Sequence, residues 1–254
     1  MQFHRYIGID YSGAQTPESR LRTLQVYAAD RQGEPWKVAA PAAGKHWTRR
    51  EVAAYCLEAL SSGQAVIIGI DHGFSFPLSY MRRYGLVDWD GFLRDFADYW
   101  PTADPQTTVE SLRADNPRGG KASELRLCEQ WTATAKSVFL FDVQGAVAKS
   151  THAGLPWLYR LRSSAALRSR VHFWPFDGFE VPAGKSVVAE AYPALYKRRY
   201  PKAERTADEQ DAWSVAAWLR EADRRGSLER YFVPPLSAAE RKSCELEGWI
   251  LGVW

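Results

Sequence analysis

The sequence predicts an α/β protein that opens with three strands in an antiparallel meander and continues with strands alternating with helices. Two observations predict it. Short apolar runs split by Gly and Pro turn signals open the chain. A segment of helical period then separates them from a further strand-like run, Ala65-Val-Ile-Ile-Gly-Ile-Asp71. A third observation bears on function: four apolar or helical segments each carry one carboxylate at a rim position.

Residues 5–10 read as a short buried strand, and 21–29 and 36–40 as two more, with Gly13, Gly33 and Pro35 as turn signals between them. Connections this short make an antiparallel meander. Glu51–Leu60 places its apolar residues at helical spacing and ends at Gly63, so the chain to Asp71 reads strand, strand, strand, helix, strand. Helical patterns follow at 78–85, 89–99, 121–135 and 155–168, with an apolar run at 137–141. The polar stretch Gln106–Lys121 contains Asn116-Pro-Arg-Gly-Gly-Lys121 and reads as an exposed loop. Residues 171–174 and 186–190 read as strands and 206–224 as a helix. The break at Pro234-Pro235 divides residues 1–232, one domain with a helical insertion around 74–168, from a C-terminal tail, 233–254.

Composition narrows the function classes. With 46% hydrophobic and 25% charged residues, the 254-residue chain has an ordinary globular balance. A net charge of +3 permits a nucleic-acid partner without arguing for one. Cys56, Cys128 and Cys244 are odd in number and far apart, without zinc spacing, which points to reduced core thiols in a cytoplasmic protein. The N-terminal residues show no secretory leader pattern, and no apolar run is long enough to span a bilayer, so no membrane partner is expected. Oligomeric state is not legible.

Asp10 and Asp71 share a context. Each follows Gly-Ile, and strand alternation puts Gly8 with Asp10 on one face and Gly69 with Asp71 on one face. A glycine two residues before an acid leaves volume beside the carboxylate that a metal or phosphate could use. The plain alternative is that strand ends often carry Asp as a turn residue. Glu190 follows Val-Val-Ala and precedes Pro193, which ends the strand close to the acid; an edge Glu facing water is the competing reading. Thr206 and Glu209 form a capping box at the start of the last long helix. At roughly 100° per residue, Asp208 projects near the centre of the stripe Ala212, Val215, Ala216, Leu219 and Asp211 near its edge. An acid in the first turn also suits the helix dipole, which explains Asp208 better than Asp211.

Tyr6-Ile-Gly-Ile-Asp10-Tyr-Ser-Gly13, Ile70-Asp71 with Pro77 downstream, Glu190-Ala-Tyr-Pro193-Ala and Asp211-Ala-Trp-Ser-Val together resemble the family catalogued as domain of unknown function 429. Gly154-Leu-Pro-Trp-Leu158 is similar to it as well, and the resemblance runs to about residue 222. That family looks like predicted nucleases of the ribonuclease H-like superfamily. The resemblance implies a mixed five-stranded sheet, three antiparallel strands and then helix-alternating ones. It implies an acid site of Asp10, Asp71, Glu190 and Asp211, and its motif selects Asp211 over Asp208, which helical geometry keeps in play. One departure is the run Asp71-His-Gly-Phe-Ser-Phe-Pro77, where the family has proline sooner after the acid.

Clustered carboxylates need cations, and hard oxygen ligands suit Mg²⁺ or Mn²⁺. Two such ions, roughly 4 Å apart, activate a water and stabilise the leaving 3′ oxygen of a phosphodiester. The expected substrate is therefore nucleic acid, with Arg118, Lys121, Lys136 and Lys149 as candidate phosphate contacts. His72 and His152 lie near the proposed site as a base or as structural histidines. Two other readings compete. Gly8-Ile-Asp-Tyr-Ser-Gly13 and Asp71-His-Gly-Phe-Ser75 could be the phosphate loops of a sugar or acetate kinase-like phosphotransferase, although no adenosine loop follows. A non-catalytic module on the same scaffold, binding nucleic acid or protein, is the third.

Overall fold

The computed structural model describes residues 2–41, 44–132 and 134–254. In chain order the elements are β1 (Arg5–Asp10), β2 (Gln25–Asp30), β3 (Trp36–Lys37), α1 (Arg49–Ser61), β4 (Val66–Asp71), α2 (Leu78–Tyr84), α3 (Trp89–Tyr99) and α4 (Val109–Arg113). They continue with α5 (Leu127–Trp131), α6 (Ala148–Arg162), β5 (Val171–Phe173), β6 (Ser186–Ala191), α7 (Ala207–Arg224), α8 (Leu228–Phe232), α9 (Ala238–Glu247) and β7 (Ile250–Leu251). Two 3₁₀ turns, Pro193–Leu195 and Lys197–Arg199, link β6 to α7.

The strands form one mixed sheet of seven in the order β3-β2-β1-β4-β6-β5, with β7 also on β6. β1 pairs antiparallel with β2, and β2 with β3, as expected for the opening three strands. β4 crosses over through α1 to lie parallel to β1, and β6 lies parallel to β4. The expected count of five is exceeded by two short strands. β5 pairs with Ser186–Val188 and β7 with Glu190–Ala191, end to end along the edge of β6 away from β4. All six residues of β6 are buried, and an open edge beside such a strand would invite foreign pairing. The segment 233–254 is thus no tail: it supplies α9 and β7 and buries Trp249, Ile250 and Leu251 in the core.

Alternation sorts the strand residues onto two faces. Ile7, Ile9, Ile68, Ile70 and Val188 face one core with Val52, Cys56 and Leu60 of α1 and Leu155 and Leu158 of α6. Tyr6, Ile67, Val187, Ala189 and Ala191 face the other, under Val215, Trp218 and Leu219 of α7. α7 starts at the expected capping box: Thr206 accepts from the Glu209 amide, and Glu209 from the Thr206 amide.

The region 72–170 departs most from expectation. The stretch 106–121 is packed rather than a free loop. It carries α4, Asn116 Nδ2 donates to the Tyr99 and Leu112 carbonyls, and Arg118 lies over the rings of Tyr84 and Tyr99. α6 begins seven residues earlier than its expected start at 155 and runs through Pro156. Proline removes the amide that would bond the carbonyl four residues back, that of His152. The hydroxyl of Thr102 donates to that carbonyl instead, at 2.6 Å. Among the described residues of the helix expected over 121–135, Leu127–Trp131 forms, opening at Arg126, whose backbone is extended and whose side chain enters a buried ion network.

Candidate metal centre

The parallel register of β1 on β4 sets Asp10 directly beside Asp71, each at the last position of its strand and on the α7 face. The third member comes from α7. A Cβ built on Gly8 would stand 2.2 Å from the Ala212 carbonyl oxygen and 2.7 Å from the Ala216 amide nitrogen, and one on Gly69 would stand 2.7 Å from Val215 Cγ1. The volume beside these glycines therefore holds helix α7, not a ligand, which corrects the sequence reading of it. That close approach carries Asp211, the residue before Ala212, onto the two strand acids. One carboxylate oxygen each from Asp10, Asp71 and Asp211 lies within 4.8 Å of the others, and all three residues are partly buried.

Three carboxylates at this separation resist ionising together. Burial and then the charge of Asp71 hold the Asp10 carboxyl well above the usual range. Burial and then Asp211 push Asp71 up to about 8. The counter-charge present is Lys197, whose Nζ donates to Asp211 Oδ2 at 2.9 Å from the 3₁₀ turn ahead of α7. The Tyr196 hydroxyl next to it is buried and has no hydrogen-bond partner among the described residues. Burial, then the charges of Asp71, Tyr200 and Asp211, hold this phenol well above its ordinary range. A donor set made wholly of carboxylate oxygens fits a hard divalent cation, so the triad could hold a metal ion.

Glu190 does not join the three. Its register partner is Ile70, not Asp71, so alternation sends its side chain to the opposite face of the sheet. There Arg126 Nη1 and Nη2 donate to Glu190 Oε2 and Oε1, each at 2.7 Å. The Phe74 amide donates to Oε2 at 2.9 Å, which ties down the chain just after Asp71. Glu129 also pairs with Arg126, and Glu247 takes the amides of Leu78 and Leu127. Glu190 thus fastens the loop that leaves the centre. Asp208 stays one turn outside the triad; burial and the charge of Asp211 raise its carboxyl, and it in turn raises Asp10. The helix therefore contributes Asp211 to the cluster, not Asp208.

The four basic candidates mostly have protein partners. Arg118 grips Asp95 with Nε and Nη2, Lys136 Nζ donates to the Gln144 carbonyl, and Lys149 pairs with Glu110. Lys121 is exposed, and its backbone amide donates to Glu124. Both histidines are buried: burial lowers His72 to about 4 and His152 to about 3, so both are neutral. His152 is ringed by Phe76, Phe96, Trp100 and Phe141, which marks it as core.

Comparison of the chain with protein-family models, curated proteins and solved structures found no match. The site's own geometry therefore carries the functional argument. No described helix is long and apolar enough to cross a membrane.

Sequence reasoning missed Lys197, Tyr196 and Arg126. Ala-Leu-Tyr196-Lys197 lies six or seven residues past Glu190, where a reader following acids alone does not look. Arg126 is 64 residues from Glu190 in sequence and has no local pattern to announce it.

Proposed function

We propose that this chain is a divalent-metal-dependent nuclease of the ribonuclease H-like type, a relative of the domain of unknown function 429 family, which hydrolyses phosphodiester bonds at Asp10, Asp71 and Asp211. One observation carries the reading: three carboxylates from two adjacent parallel strands and one helix converge within 4.8 Å at a single sheet end. The antiparallel β3-β2-β1 ribbon extended by parallel β4 and β6 supports it, since this is the strand arrangement the superfamily implies.

Asp10, Asp71 and Asp211 would hold Mg²⁺ or Mn²⁺, and a bound pair of such ions would supply activation of a water and charge stabilisation of the leaving oxygen. The protein's own contributions are distinct. Asp10 and Asp71, protonated more readily than ordinary carboxyls, release their protons as cation loads. Lys197 pairs with Asp211 through Oδ2 and offsets part of the negative charge of the three acids. Glu190, clamped by Arg126, keeps the Phe74 amide and so the end of β4 in place. The Tyr196 hydroxyl offers a hydrogen bond beside the acids.

The test is incubation of single- and double-stranded DNA and RNA with the protein in Mn²⁺, Mg²⁺ or EDTA. Cleavage that needs the cation and vanishes in Asp10→Asn, with the fold intact by circular dichroism, is the expected result. Cleavage that survives in Asp10→Asn, or none with any substrate and either ion, would sink the reading.

A further inference from the structure

An open cleft of about 550 Å³ lies between the 3₁₀ turns, α8 and the last strand, lined among others by Trp131, Arg199, Arg230, Tyr231 and Trp254. The metal centre does not use it. Two features set it apart from an ordinary surface hollow. Trp131 and Trp254 are 40% and 56% exposed and share this one cleft, whereas Trp100, Trp174 and Trp249 are completely or nearly buried. Arg199 and Arg230 are exposed, and neither side chain has an ion-pair or hydrogen-bond partner among the described residues, so free guanidinium groups and exposed indoles share one cleft. Flat exposed rings beside free guanidinium groups suit a planar base next to an anionic phosphate.

One short turn joins the cleft wall to the acid centre. The turn Lys197–Arg199 places Lys197 on Asp211 and Arg199 in the cleft wall. An aromatic ladder runs the same way. Tyr196 stacks on Trp218 at 4.6 Å, Trp218 meets Tyr231 at 5.3 Å, and Tyr231 meets Trp254 at 6.1 Å. Tyr196 and Trp218 are buried, so this ladder fixes the cleft wall relative to the acids, while the exposed indoles of Trp131 and Trp254 and the two arginines face solvent.

We propose that this cleft is a subsite for single-stranded polynucleotide: a base stacks on an exposed indole, and flanking phosphates pair with Arg199 and Arg230. The choice of occupant rests on the nuclease reading above. An acidic protein segment would satisfy the guanidinium groups but leaves the exposed indole faces without a planar partner.

The test is fluorescence anisotropy with labelled dT12 and U12 oligonucleotides in EDTA, where metal-dependent cleavage is blocked. The variants are Arg199→Ala/Arg230→Ala, Trp254→Ala and, as a control of equal charge loss, Arg94→Ala/Arg168→Ala on the far-side pocket. Both cleft variants should weaken binding by about tenfold, and the arginine pair should flatten its salt dependence. The control should bind as the wild type does. Binding of dT12 or U12 that is lost in the cleft variants supports the subsite. Equal weakening in the control, unchanged binding in both cleft variants, or better competition by a poly-glutamate peptide than by unlabelled oligonucleotide overturns it. Failure of the nuclease reading shows separately, as no Mn²⁺-dependent cleavage of an oligonucleotide that the cleft still binds.

Discussion

Gly8 lies directly beneath Ala212, so close that a Cβ at Gly8 would stand 2.2 Å from the Ala212 carbonyl oxygen. The contact is with backbone, which cannot rotate away. Helix α7 can therefore rest on β1 only because position 8 has no side chain, and Asp211 reaches Asp10 only because α7 rests there.

Gly8→Ala should thus strike stability and the metal centre together. Overpacking against rigid backbone costs about 3 kcal/mol. Urea unfolding should show that loss, and calorimetric titration of the still-folded variant with Mn²⁺ should show weakened binding. Full Mn²⁺ affinity in a destabilised Gly8→Ala protein would mean that α7 does not set the cluster.

Glu190 and Arg126 make a different prediction. Their side chains are 5% and 1% exposed, so removing the carboxylate leaves a buried guanidinium without its main partner. Glu190→Gln should cost about 3 kcal/mol in chemical denaturation. Its Mn²⁺ binding should persist, whereas Asp71→Asn should abolish Mn²⁺ binding with little loss of stability. The reverse pattern would return Glu190 to the ligand set.

Much of this was legible in the sequence, and the gaps have physical causes. The order strand, strand, strand, helix, strand was readable because local period and turn residues decide it. Asp10 and Asp71 were readable because both end strands whose faces alternation assigns. The same alternation places Glu190 on the wrong face, but only once the β4–β6 register is known, and pairing register is not a local property. At Gly8 and Gly69 the sequence shows an absent side chain, not whether a helix or a ligand fills the space. α6 begins ahead of Pro156, and the Thr102 hydroxyl that satisfies the freed His152 carbonyl lies 50 residues away, beyond the reach of local pattern.

Thr102→Val should test that compensation. The substitution keeps the shape and leaves the His152 carbonyl buried without its donor. The expected cost is about 2 kcal/mol, read by urea denaturation. Thr102→Ser, which retains the hydroxyl, should recover most of it. Equal losses in both variants would assign the effect to the methyl group instead.

The Asp71 carboxyl gives the metal centre a pH signature. In the unfolded chain it titrates near 4, in the metal-free fold at about 8. Between these values the folded protein holds a proton that the unfolded chain has released. Stability must then fall as pH rises through this window, with the full cost reached only above about 8. In EDTA the melting temperature should therefore decline from pH 5 to pH 8.5, and Asp71→Asn should flatten the decline. Saturating Mg²⁺ or Mn²⁺ replaces the proton, so added metal should stabilise the fold most at the alkaline end and hardly at all near pH 5. A metal effect independent of pH, or one that persists in Asp71→Asn, would place the cation elsewhere.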